Sequence, residues 1–169
     1  MSNAVHVGTS GYNYPEWRGT FYPEKFATNK MLAYYAERFP TVEINYTFYR
    51  MPTEKLLAGW AAGTPDGFTF TLKAPRRITH DAKLQRCEDT LQSFCRIARS
   101  LGPKLAVLLF QLAPNFKKDI DVLRAFLDLL WAERQAQARL APQIAALHAD
   151  LERAFAVAFD PNAHVLTLY

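Results

Sequence analysis

Ten residues in the first third of the chain, TVEINYTFYR (41–50), combine groups that can move protons with groups that can hold a ligand. Side chains of a β-strand point alternately to its two faces. Read as one strand, the segment places apolar side chains on one face and a carboxylate, an amide, a hydroxyl and a phenol on the other. A buried carboxylate without partners is costly, so we expect this face to meet water and a ligand, with Glu43 as a general acid or base. The polar row is Glu43, Asn45, Thr47 and Tyr49.

The most basic stretch, KAPRRITHDAKLQR (73–86), supplies candidate partners for an anion. Lys73 is the expected electrostatic partner of Glu43, and His80 can exchange a proton near neutral pH. Two structural alternatives stay open: a Glu43–Lys73 pair that only stabilises the fold, and a basic segment that is a solvated loop. The stretch also carries two residues that can clamp a phosphate or a nucleic-acid backbone, namely Arg76 and Arg77.

The segment GTSGYNYPEWRGTFYP (8–23) is dense in glycine and aromatic residues. Its rings can stack a sugar or a base, although a packed loop that closes the mouth of the domain explains the same composition. The segment matches neither G-x-G-x-x-G nor the P-loop pattern, so the sequence identifies no nucleotide fingerprint and no cofactor. The candidate binding residues here are Thr9, Ser10, Tyr12 and Trp17.

Four predicted strands position these residues. Apolar patterns predict strands over 5–10, 41–45, 68–73 and 105–112. Helical patterns alternate with them over 30–39, from Thr53 to Gly63, over 88–100 and over about 119–130, with Asn29 and Thr53 as expected N-caps. Strictly alternating strands and helices indicate a parallel α/β sheet with right-handed crossovers.

The spacing of the strands predicts a barrel that is incomplete. Strands recur roughly every 30 residues, as in a (β/α)₈ barrel, which needs about 250 residues, so 169 residues supply about half to two thirds of one. The expected fold class is a partial TIM-type (β/α) barrel with four βα units, followed by a long helix and a short strand-like end. Barrel active sites lie at the carboxyl ends of the strands, which adds Gln111 to the candidate site.

The composition changes near Trp131, where an Ala-, Gln- and Arg-rich stretch begins. This change divides the chain into a barrel part, 1–130, and an atypical helical part, 131–169, in which Pro142 interrupts one long helix. Four βα units leave two open sheet edges, and such edges invite pairing with a second copy or aggregation. Either a homodimer forms through these edges, or the segment 156–169 pairs with one of them.

Composition narrows the function classes. Half of the residues are hydrophobic and the formal net charge is +4, which is typical of a globular domain and compatible with an anionic small molecule or nucleic acid as partner. The four histidines show no metal-binding spacing, so we expect no metal site. Cys87 and Cys95 lie eight residues apart on a predicted helix, too far for a disulfide, and are expected to be free core thiols. We expect a cytoplasmic protein without a signal peptide or membrane span.

Four motifs together resemble one known family. The segments GTSGYNYPEWRGTFYP, TVEINYTFYRMP, FTFTLKAPRRITH and LLFQLAPNF occur in the order and spacing of the YecE-like proteins, known as domain of unknown function family 72. The resemblance runs from about Ala4 to Leu130 and implies a TIM barrel without a firmly established activity. Tyr12 and Ala113 depart mildly from the family pattern, and 131–169 looks unrelated to it, as a frameshift, an early stop or a natural truncation would leave it. By resemblance the motif positions are Thr9, Ser10, Gly11, Trp17, Glu43, Asn45, Thr47, Tyr49, Lys73, Pro75, His80, Gln111 and Pro114.

Three hypotheses about function follow. The first is an enzyme-type barrel acting on a phosphorylated, sugar-like or nucleotide-like anion, with Glu43, Lys73 and His80 as catalytic residues. The second is a nucleic-acid or phosphate binding module without catalysis. The third is a truncated fragment that has no activity of its own.

Overall fold

The structure is a computed structural model that describes residues 5–137 and 165–168. Its centre is a parallel four-stranded sheet, extended on one side by an antiparallel fifth strand, in the order β1-β2-β3-β4-β5. The parallel strands follow from the alternation of strands with helices that the sequence predicts. The strands are β1 (Gly8–Ser10), β2 (Thr41–Ile44), β3 (Thr69–Lys73), β4 (Leu105–Gln111) and β5 (Val165–Leu168).

In the part of the chain that the structure describes, five α-helices connect and cover these strands. Within residues 5–137 and 165–168, no helix is both long and apolar enough to cross a membrane. The helices are α1 (Met31–Ala36), α2 (Tyr46–Tyr49), α3 (Glu54–Ala62), α4 (Glu88–Ala98) and α5 (Ile120–Gln137). Turns of 3₁₀ helix lie at Pro15–Trp17, Thr28–Lys30 and Arg99–Lys104, and a π-helical turn lies at Arg77–Asp81.

The two faces of the sheet differ in burial because side chains alternate along each strand. One face packs under the helices: Phe70 stacks on Trp60 of α3 with ring centroids 6.3 Å apart, and Phe110 meets Phe126 of α5 at 5.2 Å. The buried row is Val42, Ile44, Phe70 and Leu72. The opposite face stays partly exposed and is polar along β2 and β3, with Thr41, Glu43, Thr69, Thr71 and Lys73. This polar face lies on the side of the sheet opposite Phe70 and its contact with α3.

The second strand is shorter than predicted. It ends at Ile44, and Asn45 adopts helical backbone angles (φ −79°, ψ −22°) that begin α2. The Thr47 side chain is fully buried, and its hydroxyl donates to the carbonyl of Lys73 at 2.6 Å. This bond to β3 accompanies a helical turn where the local alternation predicts a strand. The prediction that Thr47 and Tyr49 continue the strand face of Glu43 is therefore wrong.

The helix boundaries match the predictions in part. Thr53 caps α3 as expected, accepting from the backbone N–H of Leu56 at 3.2 Å, and Gly63 follows the last residue of the helix. The predicted cap at Asn29 is wrong, because Asn29 lies inside the helical turn that precedes α1, and α1 has no side-chain cap. The fourth helix ends at Ala98 rather than at 100 and passes into a 3₁₀ turn.

The cysteines behave as the spacing predicts. Cys87 and Cys95 are both free and buried. Burial raises the pKa of both thiols, that of Cys95 to about 11. Since the thiolate is the reactive form of cysteine, neither residue is a candidate nucleophile.

The carboxyl-terminal residues cover one edge of the sheet. β5 pairs antiparallel with β4, with Gln111 opposite Val165, which confirms that part of 156–169 can pair with an open edge. α5 runs continuously past Trp131, and Pro142 lies outside the described residues. In the described part of the chain, β1 has β2 as its only neighbour and remains an edge strand.

Alanine substitutions at two glycines test how closely β1 packs against β2. A Cβ added at Gly8 would lie 2.2 Å from the backbone oxygen of Thr41, whereas one added at Gly59 in α3 would meet nothing within 4 Å. We expect Gly8→Ala to lower the free energy of unfolding by about 1–3 kcal/mol, because the clash must push β1 away from β2. Gly59→Ala should raise it by about 0.5–1 kcal/mol through helix propensity. Urea denaturation of both variants measures the difference, and equal effects of the two substitutions would contradict the docking of β1.

Candidate functional site

A chain of hydrogen bonds joins the carboxyl ends of β1 and β2. The Ser10 hydroxyl donates to Oε1 of Glu43 at 3.0 Å, and the Asn45 amide Nδ2 donates to Ser10 Oγ at 2.6 Å. The sequence folds this way because parallel pairing sets Ser10 opposite Glu43, so both side chains leave the same face of the sheet. The chain fixes the direction of the carboxylate, while its second oxygen, Oε2, has no partner within the described residues.

Lys73 lies on the same face at the end of β3. In the β2–β3 pairing Glu43 is opposite Thr71, two residues before Lys73. Strands about 4.8 Å apart with a rise of about 3.3 Å per residue separate the Cα atoms of Glu43 and Lys73 by about 8 Å. Among the described residues no ion pair joins them, so the alternative of a structural Glu43–Lys73 pair is not formed. Opposite charges on adjacent strands are thus held apart.

Phe48 links Lys73 to His80. The Lys73 ammonium lies 5.0 Å from the centroid of the Phe48 ring, and the His80 ring packs edge-on against Phe48 at 4.9 Å. Sequence reasoning missed Phe48, because a strand through 41–50 places it on the apolar face. The helical turn α2 instead brings it against Lys73 at the end of β3 and against His80, and no local signal in the sequence reveals that turn.

The environment of His80 favours its neutral form. Burial is the main cause that lowers the pKa of His80, the nearby charges of Arg76 and Lys73 lower it further, and Asp81 acts in the opposite sense. The ring Nδ1 lies 2.9 Å from the hydroxyl of Thr79. The π-helical turn at Arg77–Asp81 holds this arrangement, and such turns are frequent at functional sites.

The two arginines of the basic segment differ in whether they form an ion pair. Arg76 forms an ion pair with Asp81, with Nε and Nη2 both 3.1 Å from Oδ1. Arg77 is exposed and makes no ion pair within the described part of the chain. Arg76 must therefore leave Asp81, or share it, before it can clamp a phosphate, whereas Arg77 needs no such change.

The aromatic segment after β1 is packed against itself. The Thr9 backbone N–H donates to the hydroxyl of Tyr35 at 2.8 Å, and the Thr9 hydroxyl donates to the carbonyl of Gly11 at 2.6 Å. Tyr12 packs against Tyr35, and burial raises the pKa of its phenol. The Trp17 ring contacts three neighbours within its own segment, namely Tyr14, Phe21 and Tyr22. Within the described residues, none of the side chains of Thr9, Tyr12 and Trp17 makes a hydrogen bond or ring contact with the side chain of Glu43, Lys73 or His80.

The remaining candidates are spread around this centre. Thr47 lies inside the core, whereas the Tyr49 side chain is 78 % exposed beside Phe48. Gln111 ends β4, two residues beyond Leu109, the residue paired with Lys73. Within residues 5–137 and 165–168, no group of three or more His, Cys, Asp or Glu side chains is arranged to hold a metal ion.

The arrangement combines three chemical capacities at one end of the sheet. Glu43 is an oriented carboxylate that can accept a proton from a bound hydroxyl group. Lys73 is a cation without an ionic partner in the described structure, and His80 is a neutral imidazole beside it. We define Ser10, Glu43, Asn45, Phe48, Lys73 and His80 as the strand-end cluster.

Comparison with known proteins identifies related sequences. The family model described as "Protein of unknown function DUF72" matches residues 6–159, which extends beyond the limit at Leu130 that the motifs predict. Similar curated proteins include the UPF0759 proteins YecE of Escherichia coli K12 (29 % identical over 130 residues, covering 76 % of this chain and 45 % of YecE) and YunF of Bacillus subtilis (30 % over 129 residues, 71 % and 45 %). The chain thus spans about half the length of these relatives.

Solved structures of the same family show the same fold. A DUF72 protein of Thermotoga maritima superposes with a TM-score of 0.64 at 29 % identity, covering 76 % of this chain and 51 % of that one. One from Enterococcus faecalis gives a TM-score of 0.53 at 22 % identity, covering 63 % and 45 %. The predicted α/β fold, part of a TIM-type barrel, is confirmed by this likeness.

Proposed function

We propose, from the premise that this chain belongs to the DUF72 family of proteins of unknown function, that the strand-end cluster binds a small phosphorylated ligand. The phosphate lies against Lys73 and His80, and the hydroxyl groups of the ligand face Glu43. The names of the longer relatives state no activity. The charges and contacts of the strand-end cluster in this chain support the proposal.

The separation of Glu43 from Lys73 supports this proposal most directly. An ion pair between partly exposed side chains contributes only about 0–1 kcal/mol, so without one both charges remain available to a ligand. Here Ser10, which accepts a hydrogen bond from Asn45, donates to the carboxylate, and the ammonium lies over Phe48. A ligand with a phosphate at one end and hydroxyl groups at the other fits between these two groups, since it satisfies both charges at once.

Glu43 acts as the proton acceptor if the bound ligand is turned over. Ser10 is the positioning residue, because its hydroxyl fixes Oε1 and leaves Oε2 to meet the ligand. Asn45 acts one step further away by holding Ser10. Lys73 and His80 stabilise negative charge on the phosphate and on any oxygen that loses a proton.

A second candidate function is binding of a nucleic-acid backbone by the basic segment. Lys83 and Arg86 are exposed and adopt left-handed backbone angles, with φ of 50° and 48°. Such angles cost about 1–2 kcal/mol per residue and often persist at functional sites. This function predicts that oligonucleotide affinity falls steeply with salt, which fluorescence anisotropy at several salt concentrations tests. A flat or absent signal rejects it.

Anion binding should raise the pKa of His80. A negative charge beside the imidazole favours the imidazolium form and offsets the lowering by Lys73 and Arg76. Binding is therefore coupled to proton uptake, and affinity should increase as the pH falls through the titration of His80. We expect an NMR titration of the His80 ring to move to higher pH in sulfate, a phosphate analogue whose charge is constant over this range.

The ring resonances of the exposed His6 control for general effects of ionic strength. Sodium chloride at matched ionic strength provides the second control. If the pKa of His80 is the same with and without sulfate, the anion does not bind beside His80. That result would reject the proposed geometry.

A further inference from the structure

The two tyrosines of α2 have different surroundings. The ring of Tyr46 is 43 % exposed and packs edge-on against Trp60 at 6.4 Å. Tyr49 is 78 % exposed, and within the described residues its ring contacts only Phe48, edge-on at 5.0 Å. The exposed ring of Tyr49 can therefore contact a ligand, whereas the ring of Tyr46 already packs against Trp60.

Tyr49 lies beside the cationic side of the strand-end cluster. Phe48 is the shared neighbour, since it contacts Tyr49, His80 and the Lys73 ammonium at similar distances. A ligand whose phosphate lies at Lys73 and His80 brings its organic part within reach of the Tyr49 ring. Single exposed aromatic rings are common on protein surfaces; what distinguishes this one is its contact with the ring that links both phosphate-binding side chains.

We propose that Tyr49 is a stacking platform and that the ligand is a phosphate ester whose organic part is a ring. This inference rests on the proposed function, because the phosphate determines where the ring lies. A nucleobase stacks its planar face on an aromatic side chain, and a sugar ring packs its C–H groups against one. The shared chemistry is a ring face next to a phosphate, and the choice between the two rings is left to experiment.

Affinities of three probes test this proposal: inorganic phosphate, ribose 5-phosphate and adenosine 5′-monophosphate, each measured by calorimetry. We expect at least one of the two esters to bind about 5- to 150-fold more tightly than inorganic phosphate. Tyr49→Ala should abolish that ratio, and Tyr49→Phe should retain it, because the ring rather than the hydroxyl makes the contact. A preference limited to the monophosphate identifies a base, and one shared by both esters identifies a sugar.

Tyr46→Ala is the matched control, since it removes a tyrosine from the same turn outside the cluster. Esters that bind no better than inorganic phosphate, or a ratio that survives Tyr49→Ala, would overturn the stacking role. Ester binding that depends on Tyr49 without any binding of inorganic phosphate would instead overturn the phosphate site and keep the platform. Failure of all three probes to bind would overturn both.

Discussion

Lys73→Met should weaken the binding of inorganic phosphate by about 10- to 150-fold. A hydrogen bond to a charged group contributes about 1.5–3 kcal/mol, and Lys73 is the half-buried cation of the strand-end cluster. Methionine keeps an unbranched apolar stem over Phe48 and removes only the charge. Calorimetric titration at constant ionic strength measures the change.

Two variants control for the net charge. Lys55→Met removes the same charge from an exposed position on α3 and should leave phosphate affinity within about twofold. Glu43→Gln removes a negative charge facing the ligand, so it should strengthen the binding of inorganic phosphate while abolishing any turnover. Equal losses in Lys73→Met and Lys55→Met would show that phosphate binds through net charge and not at this site.

Phe70→Ala should lower the free energy of unfolding by about 3–5 kcal/mol. Phe70 is fully buried at the centre of the sheet, where its ring contacts Trp60 and Phe68. Removing the ring leaves a cavity between β3 and α3, which neighbouring side chains on a regular strand can fill only partly. Because small domains have about 5–15 kcal/mol of stability in total, urea denaturation should reveal a large shift of the midpoint.

Thr71→Ala is the matched comparison on the same strand. Thr71 is the next residue and points to the polar face, where it is partly exposed. Its loss should cost about 1 kcal/mol or less, mainly through strand propensity. A larger loss at Thr71 than at Phe70 would mean that the two faces of the sheet are assigned the wrong way round.

The sequence was sufficient to predict the sheet and its polar face. Alternation along β2 and β3 depends on local residue order, and the burial of Val42 and Phe70 against the exposure of Glu43 and Lys73 follows from it. The contact of Ser10 with Glu43 follows from the same reasoning, because adjacent parallel strands bring their carboxyl ends together. The cap at Thr53 is likewise a local signal.

Predictions from the sequence were wrong where a contact with a distant residue determines the local backbone conformation. The alternation of TVEINYTFYR continues to Tyr49, yet the strand stops at Ile44, where the Thr47 hydroxyl bonds to β3. Phe48 was missed for the same reason. Thr9 is a second example, because its neighbour Tyr35 comes from α1, 26 residues away.

Amide chemical shifts, mapped during a titration with inorganic phosphate, show whether the strand-end cluster binds phosphate. We expect saturable shifts at Lys73 and His80, the two residues against which the phosphate is proposed to lie. Shifts confined to Lys83 and Arg86 would place the anion on the basic segment instead. That result, or the absence of any saturable shift, would contradict the proposed function.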